Sequence, residues 1–423
     1  LIDKKNRFSL FLINLFFVLN SIFQFLFIFS FYLLIQSFSD PDAIMDNNLI
    51  KYLNKFLNLE NGKINLSNYF VTIFFVIVIL SNLVFILANF LKFNFSFNLL
   101  TKLRSRLYNF YLTQNFVNFI KKNNAEYTNV ILSDCERFSM QIIGNCLNIL
   151  LAFISLIFVL IPISIINFKI TLLSFISLTI LFYISSAYLK PTLKKFGFEI
   201  KEFSKNRFEI LNESLRNFNE IKLENLENFF KNKYYNKENQ INQIDKKLSI
   251  INHSSKPIIE IILITGFFFI YKFLFQSSSS INQYIDIIAV AIVTLYKLMP
   301  SANSIYQSIN EINYHKVVIK NLLKNLKKNE IKTVSNNKDI PKKIQQIKLN
   351  NISFNYGDKK SFLINKINFV LEKNTITGIH GVSGSGKTTI LNIITGLLKH
   401  KSGSILINKK ETNIFNNSKW FKK

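Results

Sequence analysis

The chain has 423 residues, of which 49% are hydrophobic and 15% aromatic, with 45 phenylalanines and a net charge of +27. Phe, Leu and Ile dominate long stretches of the first 320 residues, a composition that excludes an ordinary soluble protein over that region. The Lys and Arg residues are spread over several connections and form no single stripe, which argues against nucleic-acid binding, and two cysteines, Cys135 and Cys146, make neither a disulfide framework nor a CxxC metal site.

Glycine usage divides the chain. Seven of its 11 glycines fall after residue 350, so an apolar membrane region is followed by a part with the composition of a soluble domain. Lys4, Lys5 and Arg7 precede an apolar run from Phe8 to about Phe38. That run is too long for a signal peptide and predicts a first spanning helix. At 1.5 Å per residue it reaches about 46 Å, against roughly 30 Å of hydrocarbon, so the helix projects beyond the bilayer. Five further spans are predicted at about 68–98, 139–166, 168–190, 257–275 and 281–314, with Asn167 and Lys169 marking a tight turn.

The connections alternate in charge. The 39–67 segment is nearly balanced and 276–283 carries no charge, whereas 99–138 and 190–256 are basic. The positive-inside rule therefore places the N-terminus, both long basic loops and everything after span six in the cytoplasm. Lys201 to Leu248 lacks Gly and Pro and repeats its apolar residues at helical spacing, which predicts two helices extending out of the membrane. A Lys/Asn-rich stretch, 325–344, links the two parts, giving a division into 1–324, 325–344 and 345–423. His253, His315, His380 and His400 have no metal-ligand spacing.

The run Gly381-Val-Ser-Gly-Ser-Gly-Lys-Thr-Thr389 fits the phosphate-binding template Gly-x4-Gly-Lys-Ser/Thr. Thr375 to Ile379 reads as a short buried strand before it, and Ile390 to Leu398 as a helix after it. Glycines allow backbone N–H groups to surround phosphates, and a helix N-terminus adds a favourable dipole. Gly381, Ser383, Gly384, Ser385, Gly386, Lys387, Thr388 and Thr389 are thus the predicted nucleotide site. Lys387 would reach the β- and γ-phosphates, and Thr388 would place its hydroxyl on Mg²⁺.

Six long spans, two basic helical loops and a C-terminal P-loop together resemble an ABC exporter half-transporter. The fold this implies is an α-helical membrane domain with six transmembrane helices, followed by the N-terminal part of an α/β P-loop ATPase domain. Phe354-Asn-Tyr356 is similar to the family's aromatic loop, which implies that Tyr356 stacks on adenine. Ser402 to Asn408 resembles the strand after the P-loop helix. Asn123 to Tyr127 and Phe218 to Glu227 resemble the two coupling segments that dock on the ATPase domain. Residues 38–53, Lys256 to Glu260 and Tyr296 to Tyr314 are similar to segments of the lipid-linked oligosaccharide flippases.

The resemblance implies a homodimer in the bacterial inner membrane, using ATP and Mg²⁺ to export or flip a lipid-linked oligosaccharide or related amphiphile by alternating access. Export of lipids, drugs or peptides, a nucleotide-gated membrane regulator and an inactive remnant stand as alternatives. Lys297, deep in span six near Pro300, is the predicted substrate-cavity contact; snorkelling, or pairing with Asp286 or Glu260, is the competing reading. The family's Leu-Ser-Gly-Gly-Gln signature, its strand ending in Asp-Glu and its switch histidine do not occur in 1–423, which begins at Leu1 instead of Met. No catalytic carboxylate is therefore assigned, and these residues by themselves are expected not to hydrolyse ATP.

Overall fold

The computed structural model describes residues 4–39, 63–114, 116–120, 124–166, 168–274, 285–328, 340–341, 343–356, 363–417 and 419–421. It divides into two compact units. The first comprises Leu1–Ser105 and Thr128–Leu323, the second Arg106–Tyr127 and Lys324–Lys423.

Helices build the first unit, because a lipid-facing backbone must satisfy its hydrogen bonds within the segment. They are α1 (Lys4–Ser39), α2 (Lys63–Thr113), α5 (Gly144–Ile166), α6 (Phe168–Arg216), α7 (Phe218–Leu223), α8 (Glu227–Leu274), α9 (Ile285–His315) and α10 (Val317–Lys328). Between α2 and α5 lie two short helices, α3 (Phe116–Ile120) and α4 (Asn124–Asn129). Two π-helical turns, Val130–Asp134 and Arg137–Ile143, then lead into α5. Three helical stretches among the described residues are long and apolar enough to cross a membrane: Asn6–Phe38, Asn68–Thr113 and Asn124–Pro162. The other three expected spans fall on α6, α8 and α9. Asn167 and the 276–283 connection lie outside the described residues, as does most of the 39–67 segment.

Packing joins α1, α5 and α9 through Ile28, Ala152, Leu156, Val159, Val290, Leu298 and Ile305, all buried. Hydroxyls inside these helices donate back to their own backbone, Ser21 to the Phe17 carbonyl and Thr294 to that of Val290. Lys201 to Leu248 is helical as expected, covered by the long continuations of α6 and α8, which are joined through residues 217–226. Leu193 and Ile200 on α6 meet Ile241, Ile244 and Leu248 on α8, with Tyr314 of α9 closing the cluster. α9 continues unbroken through Pro300. Of the two cysteines, Cys135 is buried and Cys146 is exposed.

In the second unit, β1 (Gln346–Phe354), β2 (Ile364–Glu372), β3 (Ser402–Ile407) and β4 (Lys410–Glu411) form an antiparallel sheet in the order β2-β1-β3-β4. A bulge in β1 is fastened by Asn351, whose N–H donates to Asn368 Oδ1 at 2.9 Å. Leu349, Ile352, Phe354, Ile364, Ile405 and Ile407 bury the inner face against α11 (Lys387–Ile394). The expected strand at Thr375–Ile379 is absent, and 375–382 is irregular and mostly exposed. Among the described residues every strand pairing joins β1 to β4 among themselves, and 375–379 has no strand neighbour to take its backbone groups.

Candidate functional site

Three chain segments bring the predicted nucleotide residues together. β1 ends at Phe354, and Tyr356 follows with its ring edge-on to that of Phe354 at 4.9 Å. Burial of Phe354 in the sheet core anchors the pair, while Tyr356 remains 41% exposed. The Tyr356 hydroxyl lies 3.4 Å from Thr389 Oγ1, which sets the aromatic beside the first turn of α11. Tyr356 and the P-loop are therefore neighbours in space, although 31 residues separate Tyr356 from Lys387 in the chain.

Loop geometry depends on glycine at two positions. Gly384 and Gly386 have φ of 85° and 93°, a left-handed conformation that side chains disfavour. Gly386 also packs closely on β2, where an added β-carbon would come within 3.2 Å of Ile364 Cγ1. It is the residue from which α11 starts. The helix spans Lys387–Ile394, earlier at both ends than the expected 390–398, and a turn carries the chain through Gly396 to buried Leu398. Trp420 closes that end by donating its indole N–H to the Ile394 carbonyl at 3.1 Å.

Lys387 folds back over the loop. Its ammonium donates to the carbonyl oxygens of Gly381 and Val382, both at 2.8 Å. Gly381, Ser383, Gly384, Ser385 and Thr388 are exposed, while Thr389 is buried beneath the helix. A β-carbon at Gly384 would meet nothing within 4 Å, so the outer face of the loop is open. An open loop with an ammonium, three exposed hydroxyls and a helix N-terminus fits the phosphates of a nucleotide. Among the described residues no group of three His, Cys, Asp or Glu side chains is placed to hold a metal ion. Thr388 remains the hydroxyl available to a Mg²⁺ carried in with the phosphates.

Beyond the loop, His400 is partly buried between α11 and β3, and burial pushes its imidazole below the ordinary 6.5 despite an opposing backbone hydrogen bond at Gly403.

The coupling segments differ from expectation in one respect. Phe116 and Val117 of α3 pack against the sheet core of the second unit, seven and six residues before the expected Asn123. Asn123 lies outside the described residues, and Tyr127 supports α3 by donating its hydroxyl to the Phe119 carbonyl at 3.2 Å. The available signal was the apolar run Phe116-Val117-Asn-Phe119-Ile120 inside a basic loop. The other segment is helical as α7, held by an ion pair of 2.8 Å between Lys222 and Glu227, and exposes Phe218 and Leu223.

Lys297 sits on α9 with its ammonium 4.1 Å from the ring centroid of Phe27 on α1. Glu260 is exposed and no ion pair joins it to Lys297 among the described residues; the Asp286 side chain lies outside them. Sequence reasoning passed over Lys92 on α2, which is buried and donates to Asn89 Oδ1 and Asn148 Oδ1, each at 2.7 Å.

Helical spans fused to a P-loop sheet are the arrangement of a transporter with its own ATP-binding domain. Residues 10–298 match the family described as the ABC transporter transmembrane region, and residues 364–423 match the family described as ABC transporter. The chain belongs to the ABC transporter transmembrane family and carries ABC ATP-binding sequence behind it. It is similar to a probable ABC transporter ATP-binding/permease protein of Haemophilus influenzae, 38% identical over 79 residues, 19% of this chain and 14% of that protein. ABC transporter G family member 23 of Dictyostelium discoideum is 49% identical over 65 residues, 15% of this chain and 9% of that protein. The zinc import ATP-binding protein ZnuC of Rickettsia prowazekii is 41% identical over 64 residues, 15% of this chain and 27% of that protein. The aligned part spans less than a third of the length of each of these curated relatives.

Proposed function

We propose that the chain is the membrane and ATP-binding part of an exporter that acts as a homodimer in the bacterial inner membrane. It moves an anionic lipid-linked oligosaccharide, or a related amphiphile, across the bilayer by alternating access. ATP with Mg²⁺ supplies the driving free energy. Lys387 compensates the charge of the β- and γ-phosphates, Thr388 holds the metal, and Ser383, Gly384, Ser385 and Gly386 wrap the phosphates. Tyr356 carries the adenine face.

The observation that carries this reading is the seat of Phe116 and Val117 in the second unit's core. Those two residues belong to the connection between spans two and three, so displacement of the nucleotide unit pulls on two spanning helices. A nucleotide can drive such a change only by binding one arrangement better than the other. Two copies closing on shared ATP supply that difference. Exposed Phe218 and Leu223 on α7 offer the second coupling contact to the other copy.

An exporter of another lipid, a drug or a peptide is supported by the same two observations, and the substrate arms of one experiment separate the readings. The full-length protein is reconstituted in liposomes with a fluorescent pyrophosphate-linked oligosaccharide lipid, and with a zwitterionic phospholipid analogue of equal chain length. ATP-dependent flipping of the first supports the glycan reading. Flipping of the second alone redirects the substrate, and movement of neither with ATP turnover intact favours a nucleotide-gated regulator.

A further inference from the structure

Asn20 lies on α1 with 1% of its surface exposed, and among the described residues neither its Oδ1 nor its Nδ2 has a hydrogen-bond partner. Gln24 follows one turn later with Oε1 also buried and unpartnered. Buried polar groups in proteins are nearly always satisfied, and in a lipid environment an orphan amide is especially costly. Neighbouring hydroxyls do not relieve it: Ser21 donates to the Phe17 carbonyl and faces Ser155 of α5 at 3.4 Å.

Helical spacing puts Asn20, Gln24 and Phe27 on one face of α1. Phe27 is the residue whose ring bears the Lys297 ammonium at 4.1 Å. The unpartnered Asn20 amide and the unpartnered Gln24 Oε1 therefore lead along α1 to a cation that no carboxylate among the described residues neutralises. By contrast, Lys92 has two amide oxygens as partners, so its ammonium is already solvated by protein.

We infer that Asn20, Gln24 and Lys297 form an intramembrane headgroup site for an amphiphile bearing both hydroxyls and an acidic group. The amides both donate and accept, which suits hydroxyls, and the ammonium suits the acid. The aromatic face of Phe27 holds that ammonium in place until the acid arrives. This rests on the transport reading above and names the chemistry that its substrate presents.

The test measures binding to the full-length protein in nanodiscs of dimyristoyl phosphatidylcholine, without nucleotide. The probes are dioctanoyl phosphatidylinositol, dioctanoyl phosphatidic acid, dioctanoyl phosphatidylcholine and inorganic phosphate. The wild type is expected to bind phosphatidylinositol about tenfold tighter than phosphatidic acid, and both tighter than phosphatidylcholine. Asn20→Leu removes the preference for the hydroxylated headgroup and leaves phosphatidic acid affinity unchanged; Gln24→Met is the second variant, should the first fail to fold. Lys297→Gln removes the preference for acidic probes, and Lys297→Arg restores it. If Asn20→Leu raises thermal stability and leaves phosphatidylinositol affinity unaltered, the amide serves no ligand and the site is rejected. Inorganic phosphate binding as tightly as the lipids would also reject it, since the site would then take a free anion. ATP-dependent flipping, assayed in parallel, separates the two claims. Flipping intact with no headgroup preference sinks the site alone, and headgroup preference without flipping sinks the transport reading alone.

Discussion

Gly197 on α6 and Tyr314 on α9 meet backbone to backbone, and a β-carbon at Gly197 would overlap the Tyr314 carbonyl oxygen. The contact lies in the cluster that packs α6, α8 and α9 together, with Tyr314 only 2% exposed. In an open helix, Gly→Ala would stabilise by roughly 0.5–1 kcal/mol. Here the added methyl forces two helices apart, and overpacking of this kind costs about 1–3 kcal/mol. Gly197→Ala is therefore expected to lower the melting temperature of the detergent-purified protein. A rise would show that the helices do not approach this closely.

Truncating the α3 contact should separate ATP turnover from transport. Phe116→Ala with Val117→Ala removes two half-buried side chains from the second unit's core, a loss of about 2–4 kcal/mol in local packing. The expected result is ATP hydrolysis within about threefold of wild type and ATP-dependent transport reduced by roughly tenfold or more. Equal loss of both activities would point to a folding defect, and unchanged transport would remove α3 from the coupling path.

Tyr356 gives a prediction about the base rather than the phosphates. Stacking on an aromatic side chain is worth about 1–3 kcal/mol per base, so Tyr356→Ala should raise the Kd for ATP by about tenfold. Tyr356→Phe should keep most of the affinity, since the ring and not its 3.4 Å hydroxyl contact to Thr389 makes the stack. Equal ATP affinity in the alanine variant, measured by equilibrium titration, would leave the exposed ring without a nucleotide role.

His400 makes stability depend on pH. Its folded-state pKa lies below the ordinary 6.5 because burial disfavours the charged imidazole. The neutral form is the one the fold accepts, so stability is full above 6.5 and is lost as pH falls through the folded value. His400→Gln should flatten the dependence of melting temperature on pH across that window. A wild-type protein more stable below the window than above it would contradict the sign.

Much of this architecture was legible from residues alone. Long Phe/Leu/Ile runs dictate helices because lipid leaves the backbone no other partner, and the Gly381–Thr389 run marked its loop without help from tertiary context. Thr375–Ile379 misled because its apolar pattern describes a strand only when neighbouring strands exist, and none among the described residues pairs with it. Phe116 and Val117 were hidden by a local pattern too short to tell a docking helix from a loop; only their packing against the sheet core distinguishes them. Asn20, Gln24 and Lys92 looked like isolated polar residues in apolar helices, and their burial and partners belong to tertiary structure.

One comparison in proteoliposomes decides whether ATP held at Lys387 drives translocation. Full-length wild type and Lys387→Ala are reconstituted at equal density, and transport of the fluorescent amphiphile is followed before and after ATP addition. On the proposed reading Lys387 would supply a charge-assisted contact to the phosphates, and its removal would cost several kcal/mol, on the order of a hundredfold in rate. The account predicts ATP-dependent transport by the wild type and none above background by Lys387→Ala, with substrate binding retained. Transport by Lys387→Ala at the wild-type rate would contradict it.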